Sequence, residues 1–359
     1  MNGSGKLSRR RRPGVGLWIV VLVLVLLAGH ALYWRWATQR LEQGFLAWAA
    51  DRRTHGWVVR AGQPERGGWP LAASVSVPGL HVEGGQADIP DGFAWSAERV
   101  RLSVRLLQPR SLSIAAEGMQ RLRLGDLPEI PYTADRLHAD IPLEPGVPAH
   151  AADILARDLR AGMPSGKDAT SGLTVGLLQV HGELRPAAPQ GEPALAFTTS
   201  AEAIGLPPGL PWALGGRISS LSVNGALNGP LPRVPGLAHR ATAWRDGGGT
   251  LEIQRLALGW GPLGITGSAT LALDMRLQPM GTGNARIVGY ADTLDALATS
   301  GVITPRAATA AKALAALIAR VPEDGGKPEI EVPLTLQDRT LSIRQIPLAR
   351  IPEMIWPPE

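Results

Sequence analysis

Residues 99–106, RVRLSVRL, decide the fold class. Val100, Leu102, Val104 and Leu106 alternate with Arg99, Arg101, Ser103 and Arg105. Successive side chains of a strand point to opposite faces, so a period of two predicts a half-buried β-strand with one aliphatic and one solvated side. Three arginines on one face would suit an anion site, but a solvated outer sheet face accounts for them without one. Working outward, the pattern recurs in Ala269–Met275, where Ala269, Leu271, Leu273 and Met275 share a side. It recurs again in Ile330–Leu336, with Ile330, Val332, Leu334 and Leu336 together. Shorter runs at Leu71–Val77, Ser111–Ala115, Gln120–Leu124, Leu173–Val180, Ala194–Ser200, Arg286–Tyr290 and Leu341–Ile346 read the same way. In Leu251–Leu258 the alternation slips at Arg255–Leu256, which is how a β-bulge looks in sequence.

Turn residues separate these runs: Gly84-Gly85, Pro90-Asp91-Gly92, Asn224-Gly225, Asn228-Gly229-Pro230, Gly247-Gly248-Gly249 and Gly325-Gly326. Strands joined by turns without intervening helices predict antiparallel meanders rather than βαβ units. The 43 glycines and 31 prolines fit that architecture and fall short of a disordered composition. No repeat of fixed period stands out. The Pro/Gly-rich stretches 183–194 and 225–237, and the region 165–190, mark where the β region would divide.

Upstream lies Leu17–Trp34, LWIVVLVLVLLAGHALYW, with no formally charged side chain and only His30 breaking its apolar character. As a helix at ~1.5 Å per residue it crosses most of a ~30 Å hydrocarbon layer. Lys6 and Arg9 to Arg12 precede it, while Trp18, Trp34 and Trp36 are placed as interfacial anchors. Basic flanks stay cytoplasmic and aromatics favour the interface, so the expected topology is N-terminus inside and the bulk outside. A cleaved secretory signal is the rival reading, but its one small-x-small site, Gly29-His30-Ala31, is poor and the apolar run continues past it. The expected organisation is a basic tail over 1–16, an anchor over 17–34, a stalk helix over 35–54 and a β domain over 55–359. Leu41, Phe45 and Trp48 give the stalk its helical stripe.

Few other helices are expected. Ala151–Ala161 is one candidate, Asp292–Ser300 another. A third starts with Thr304 as N-cap and Pro305 at the first helical position, its Leu314, Leu317, Ile318 and Val321 tracing one face. Two or three small helices cannot cover the apolar sides of roughly a dozen strands. The sheet must then cover itself, as a sandwich or barrel, or curve into a trough around something else; the expected fold is mainly β, a large antiparallel sheet, curved or groove-like, behind one transmembrane helix.

Charge and composition remove several classes of function. The chain has 36 basic and 31 acidic residues and a pI near 10.0, but six of the cations and none of the anions lie within residues 1–35. The remainder is close to neutral, so no electrostatic footprint for nucleic acid exists there. There is no cysteine, which excludes disulfides, thiolate metal sites and cysteine nucleophiles. Gly259-Trp260-Gly261-Pro262-Leu263-Gly264 matches GxGxxG literally, yet Pro262 interrupts it and a strand pattern follows, so it is no dinucleotide fingerprint. The seven histidines, at 30, 55, 81, 138, 150, 181 and 239, have no metal-ligand spacing, and Glu98, Asp140 and Asp274 have no privileged partner. No cofactor, metal site or catalytic residue is expected.

Several short blocks carry a resemblance. Gly68-Trp69-Pro70-Leu71, Trp95-Ser96-Ala97-Glu98 with Gln108-Pro109, and Leu256–Leu263 with Gly267-Ser268 and Asp274 resemble the bacterial domain-of-unknown-function 2125 family. The Gly-Trp-Pro form departs mildly from the more usual Phe or Tyr. The family is similar in style to AsmA-like envelope proteins, which implies one inner-membrane span, a long periplasmic β region and no particular activity.

The leading expectation is thus an inner-membrane protein whose periplasmic sheet contacts phospholipid through an aliphatic groove. Val100, Leu102, Val104, Leu106, Leu271, Leu273, Met275, Val332 and Leu334 are its candidate lining. A scaffold binding other envelope proteins by a sheet edge is the alternative, and a hydrolase whose site assembles only in space the third.

Overall fold

The computed structural model describes residues 15–85, 92–125, 127–144, 150–162, 172–185, 188–232, 234, 236–322, 325–343 and 346–356. Most of the basic tail over 1–16, much of the 165–190 region and part of the Pro90-Asp91-Gly92 turn lie outside the described residues. The anchor and the stalk are one continuous helix, α1, Val15–Thr54. Its 40 residues make it ~60 Å long.

Among the described residues, all the strands join one antiparallel sheet of 17. The short β1 (Val58–Arg60) and β2 (Glu65–Gly67) both pair with β3 (Ala72–Gly84), forming one edge. The sheet then runs through β4 (Phe93–Arg105) and β5 (Gln108–Leu124). Next come β6 (Ile130–Thr133) and β7 (Arg136–Pro142), end to end between β5 and β8 (Ala151–Ala161). It continues in chain order through β9 (Leu173–Leu184), β10 (Pro193–Gly205), β11 (Arg217–Asn228), β12 (Thr250–Trp260), β13 (Leu263–Leu273) and β14 (Pro279–Val288). It ends in β15 (Glu329–Gln337), β16 (Thr340–Ile343) and β17 (Ile346–Arg350). β8, β9 and β10 are hydrogen-bonded in succession.

The register makes one face predominantly apolar. Directly opposed residues run Val75, Leu102, Ile114, Ala139, Ile154, Val180, Thr199, Val223, Leu256, Gly267, Ala285 and Val332, from β3 to β15. The neighbouring line on the other face carries Ser76, Arg101, His138, Gln179, Ser200, Thr266, Arg286 and Glu331. A single slipped residue would exchange the two faces, so every irregularity must be matched next door. The register does this. Asp158 (φ 49°) in β8 and Ala203 (φ 52°) in β10 both flank Gly176 of β9, and Ser219 of β11 takes up the next slip. A Cβ on Gly176 would stand 3.1 Å from that of Ala203, so glycine lets the two kinked strands close around it. The slip expected at Arg255–Leu256 is present: Gln254 and Arg255 lie between the Ile253–Ala269 and Leu256–Gly267 pairs, where β13 has the single residue Ser268.

The same irregularity corrects one expectation. Ala151–Ala161 is strand β8, not a helix. Its inward residues are Ala152, Ile154 and Ala156, then Leu159 and Ala161 beyond the kink, a spacing that a helix also produces. The expected strands at Ser111–Ala115 and Gln120–Leu124 are one strand, β5, bent at Gly118 (φ 78°), where a Cβ would strike the Glu98 carboxylate.

Helices cover only parts of the apolar face. The second half of α1 lies over β1–β5, packing Phe45 and Ala49 on Val59, Val75, Val77, Leu80, Val82, Ala97 and Val100. Helices α3 (Tyr290–Thr299) and α4 (Pro305–Ile318) follow the sequence expectation, with Thr304 Oγ1 accepting from Ala307 N at 3.2 Å. α4 turns a small-residue face, Ala308 and Ala315, inward over Ala285, Ile330 and Val332. Its stripe of Leu314, Leu317, Ile318 and Val321 faces outward, with Leu317 83% exposed. Small residues allow a closer approach than leucines would. Helix α2 (Leu237–Asp246), which the polar sequence LAHRATAWRD does not announce, caps the end of β11–β13. Over β8–β11 the buried cluster of Val175, Ala201 and Ile204 packs, among the described residues, with Leu159, Leu173, Leu178, Ile218 and Leu221 of the sheet itself.

Candidate functional site

The site with the most definite shape is a cavity of about 490 Å³ between α2, the C-terminal segment and the apolar ends of β11–β14. Leu227, Leu251, Leu271 and Leu273 form its floor, because the register brings Leu227 opposite Leu251 and Leu251 opposite Leu271. Trp244 and Ala241 of α2 form one wall, and Met354 and Trp356 another. Arg240, also on α2, stands at its rim with Nε donating to Val234 O at 2.8 Å. A volume of this order suits a small molecule or part of a lipid.

Each wall is held by specific hydrogen bonds. Trp244 Nε1 donates to Asn228 O at 2.9 Å, and its ring lies against Gly249, where a Cβ would come within 2.2–2.4 Å of ring atoms. Gln278, buried at the start of the β13–β14 end, clamps the C-terminal segment from both sides of its amide. Its Nε2 donates to Met354 O at 3.0 Å and its Oε1 accepts from Met354 N at 2.9 Å. Trp356 Nε1 donates to Leu277 O at 3.0 Å. Asp274 orders the preceding turn, its Oδ1 accepting from Arg276 N and Gln278 N, both at 2.8 Å. Sequence reading overlooked Trp244, Gln278, Met354 and Trp356. The signals were an isolated tryptophan in a polar segment and Met354-Ile355-Trp356 after the last strand.

The sequence-derived groove residues do not come together. Leu271 and Leu273 lie in the cavity. Val100 and Leu102 are beneath α1, with Val104 half-buried and Leu106 buried next to them. Val332 and Leu334 belong to the cluster that α3 and α4 cover. Met275 follows β13 in the turn and is 84% exposed. Of the anchor tryptophans, Trp18 is exposed and Trp36 stacks on Tyr33 at 5.9 Å. Trp34 instead turns inward, its Nε1 donating to Gly67 O (3.2 Å) and Ala72 O (3.1 Å).

Among the depressions of the polar face, two lie well apart in the sheet. One depression over β12–β15 is lined by Glu252, Gln254, Ser268, Thr270, Thr282 and Asn284. The other, over β7–β10, contains His138, Asp140, Asp153, Gln179, His181 and Ser200. There His181 Nδ1 and Asp153 Oδ1 are 2.7 Å apart, which raises the His181 pKa, chiefly through that hydrogen bond and further through the nearby Glu183 carboxylate. Ser200 Oγ donates to Gln179 Oε1 at 3.4 Å rather than to the imidazole. No group of three His, Asp or Glu arranged to hold a metal occurs among the described residues. Tyr132, whose hydroxyl accepts from Trp95 Nε1 at 2.8 Å, has its pKa raised by burial.

An open antiparallel sheet with one continuous apolar face, behind an N-terminal helix long and apolar enough to cross a membrane, defines the class of this protein. The chain belongs to the bacterial domain-of-unknown-function 2125 family: that family's model, described as "uncharacterized protein conserved in bacteria", matches residues 34–352. Comparison with curated proteins and with solved structures finds no match.

Proposed function

We propose that this protein is a single-pass inner-membrane protein, N-terminus cytoplasmic and sheet periplasmic, that holds the acyl part of a phospholipid in envelope maintenance. The observation that carries this reading is the cavity walled by Leu251, Leu271, Leu273, Trp244 and Trp356. No residue is assigned a catalytic role. The His181–Asp153 pair lies on the solvated face with both side chains substantially exposed, and a site for acyl transfer also needs donors for a developing oxyanion. The test is a photo-crosslinking amino acid placed at Leu273 or Leu251 in cells with labelled phospholipid. Lipid adducts at these positions and none at Thr282 on the polar face support the proposal. Equal labelling at all three would overturn it.

A second reading has its own observation. β17 is an edge strand that, among the described residues, pairs with β16 alone, and it exposes Ile346 and Leu348. Such an edge accepts a strand from a partner, as a scaffold would use it. Protein adducts from crosslinkers at Leu348, without lipid adducts at Leu273, would favour that role.

A further inference from the structure

Two adjacent turns at the β2–β3 and β4–β5 ends stand beside the helix where its apolar run closes. His30 Nε2 donates to Pro70 O at 2.7 Å, and the His30 and Trp69 rings are 5.0 Å apart. Trp69 also meets Trp34 edge-on at 5.7 Å, and Leu106 N donates to Leu71 O at 3.2 Å, tying the second turn to the first. The turns therefore sit level with helix residues 30–34, the last of the eighteen-residue apolar stretch. At that level they present large apolar side chains outward: Trp69 is 48% exposed, Leu71 74% and Leu107 86%. Close to Leu107 in the chain, Arg105 at the end of β4 and Arg110 near the start of β5 are both exposed.

An exposed tryptophan with two exposed leucines is costly in water and favourable at a bilayer interface, where the indole ring prefers to lie. Arginines next to such a cluster meet the phosphates of the headgroups, each worth ~1 kcal/mol at an anionic surface. We infer that Trp69, Leu71 and Leu107 form a wedge that enters the outer face of the same bilayer that α1 crosses, fixing the sheet against the membrane. This rests on the reading of α1 as a membrane span, and it is independent of what the cavity holds.

The lack of cysteine makes the test direct. The full chain, carrying a single labelled cysteine, is reconstituted in phosphatidylethanolamine–phosphatidylglycerol vesicles. An environment-sensitive fluorophore is placed at Leu71→Cys, Leu107→Cys, Leu26→Cys in the span or Leu317→Cys at the far end of the strands. Spin-labelled lipids should quench the Leu71 and Leu107 probes by about the same factor as the Leu26 probe, leaving Leu317 bright. Quenching at Leu26 with Leu71 and Leu107 as bright as Leu317 would overturn the wedge while leaving the anchor intact. Four bright probes would remove both.

Discussion

Trp34 and Ala72 join the two parts of this molecule: the indole N–H of the helix reaches the first residue of the first long strand at 3.1 Å. The same N–H also reaches Gly67 O at 3.2 Å, so one donor serves both strands of the β2–β3 turn. Trp34→Phe keeps the ring and removes the donor. The variant should lose about 1 kcal/mol of stability, the net worth of a typical hydrogen bond. It should also show faster amide exchange at residues 67–72 than elsewhere in β3, measured by mass spectrometry.

Phe45 and Leu317 are both apolar helical residues, yet their substitutions should differ widely. Phe45 is buried against Val75 and Val77, so Phe45→Ala should cost about 3–5 kcal/mol and loosen α1 from β1–β3. Leu317→Ala, on the outward stripe of α4, should stay within about 0.5 kcal/mol of the parent. Chemical denaturation of the full chain in one detergent distinguishes the two.

Gly249 holds the cavity open by what it lacks. Gly249→Ala places a methyl group inside the Trp244 ring and must push that wall aside. The expected cost is about 1–3 kcal/mol, as for overpacked cores. Lipid crosslinking at Leu273 should fall with it. Undiminished crosslinking would mean that Trp244 does not shape the site.

The His181–Asp153 pair makes stability depend on pH in a defined direction. With the His181 pKa raised in the folded state, its contribution is complete below the ordinary histidine value of about 6.5 and is lost as pH rises through the folded value. Asp153→Asn removes the largest cause. Histidine-selective NMR should show the His181 titration moving down toward the ordinary value in that variant, with solvent exposure keeping the effect on stability small.

Much of this architecture was legible in the chain. Val100, Leu102 and Val104 do share one face, and even the Gln254 slip is visible in the pattern around Arg255. β8 was misread because the kink at Asp158 breaks the alternation that identifies a strand. Its partner irregularities lie at Gly176, Ala203 and Ser219, up to sixty residues away, and no local window contains them.

The one-faced strands, their antiparallel order and the apolar helix are written locally in the chain. Each follows from alternation, turn chemistry or hydropathy within a few neighbouring residues. Which parts of the apolar face are covered is set by contacts between distant segments. That Val100 lies under α1, that Leu317 points to solvent and that Leu273 borders a cavity closed by Met354 and Trp356 are outcomes of long-range packing. An apolar side chain specifies that it should leave water, and the same pattern is met by a helix, by a ligand or by another strand. The partner is chosen by the shape of the whole sheet.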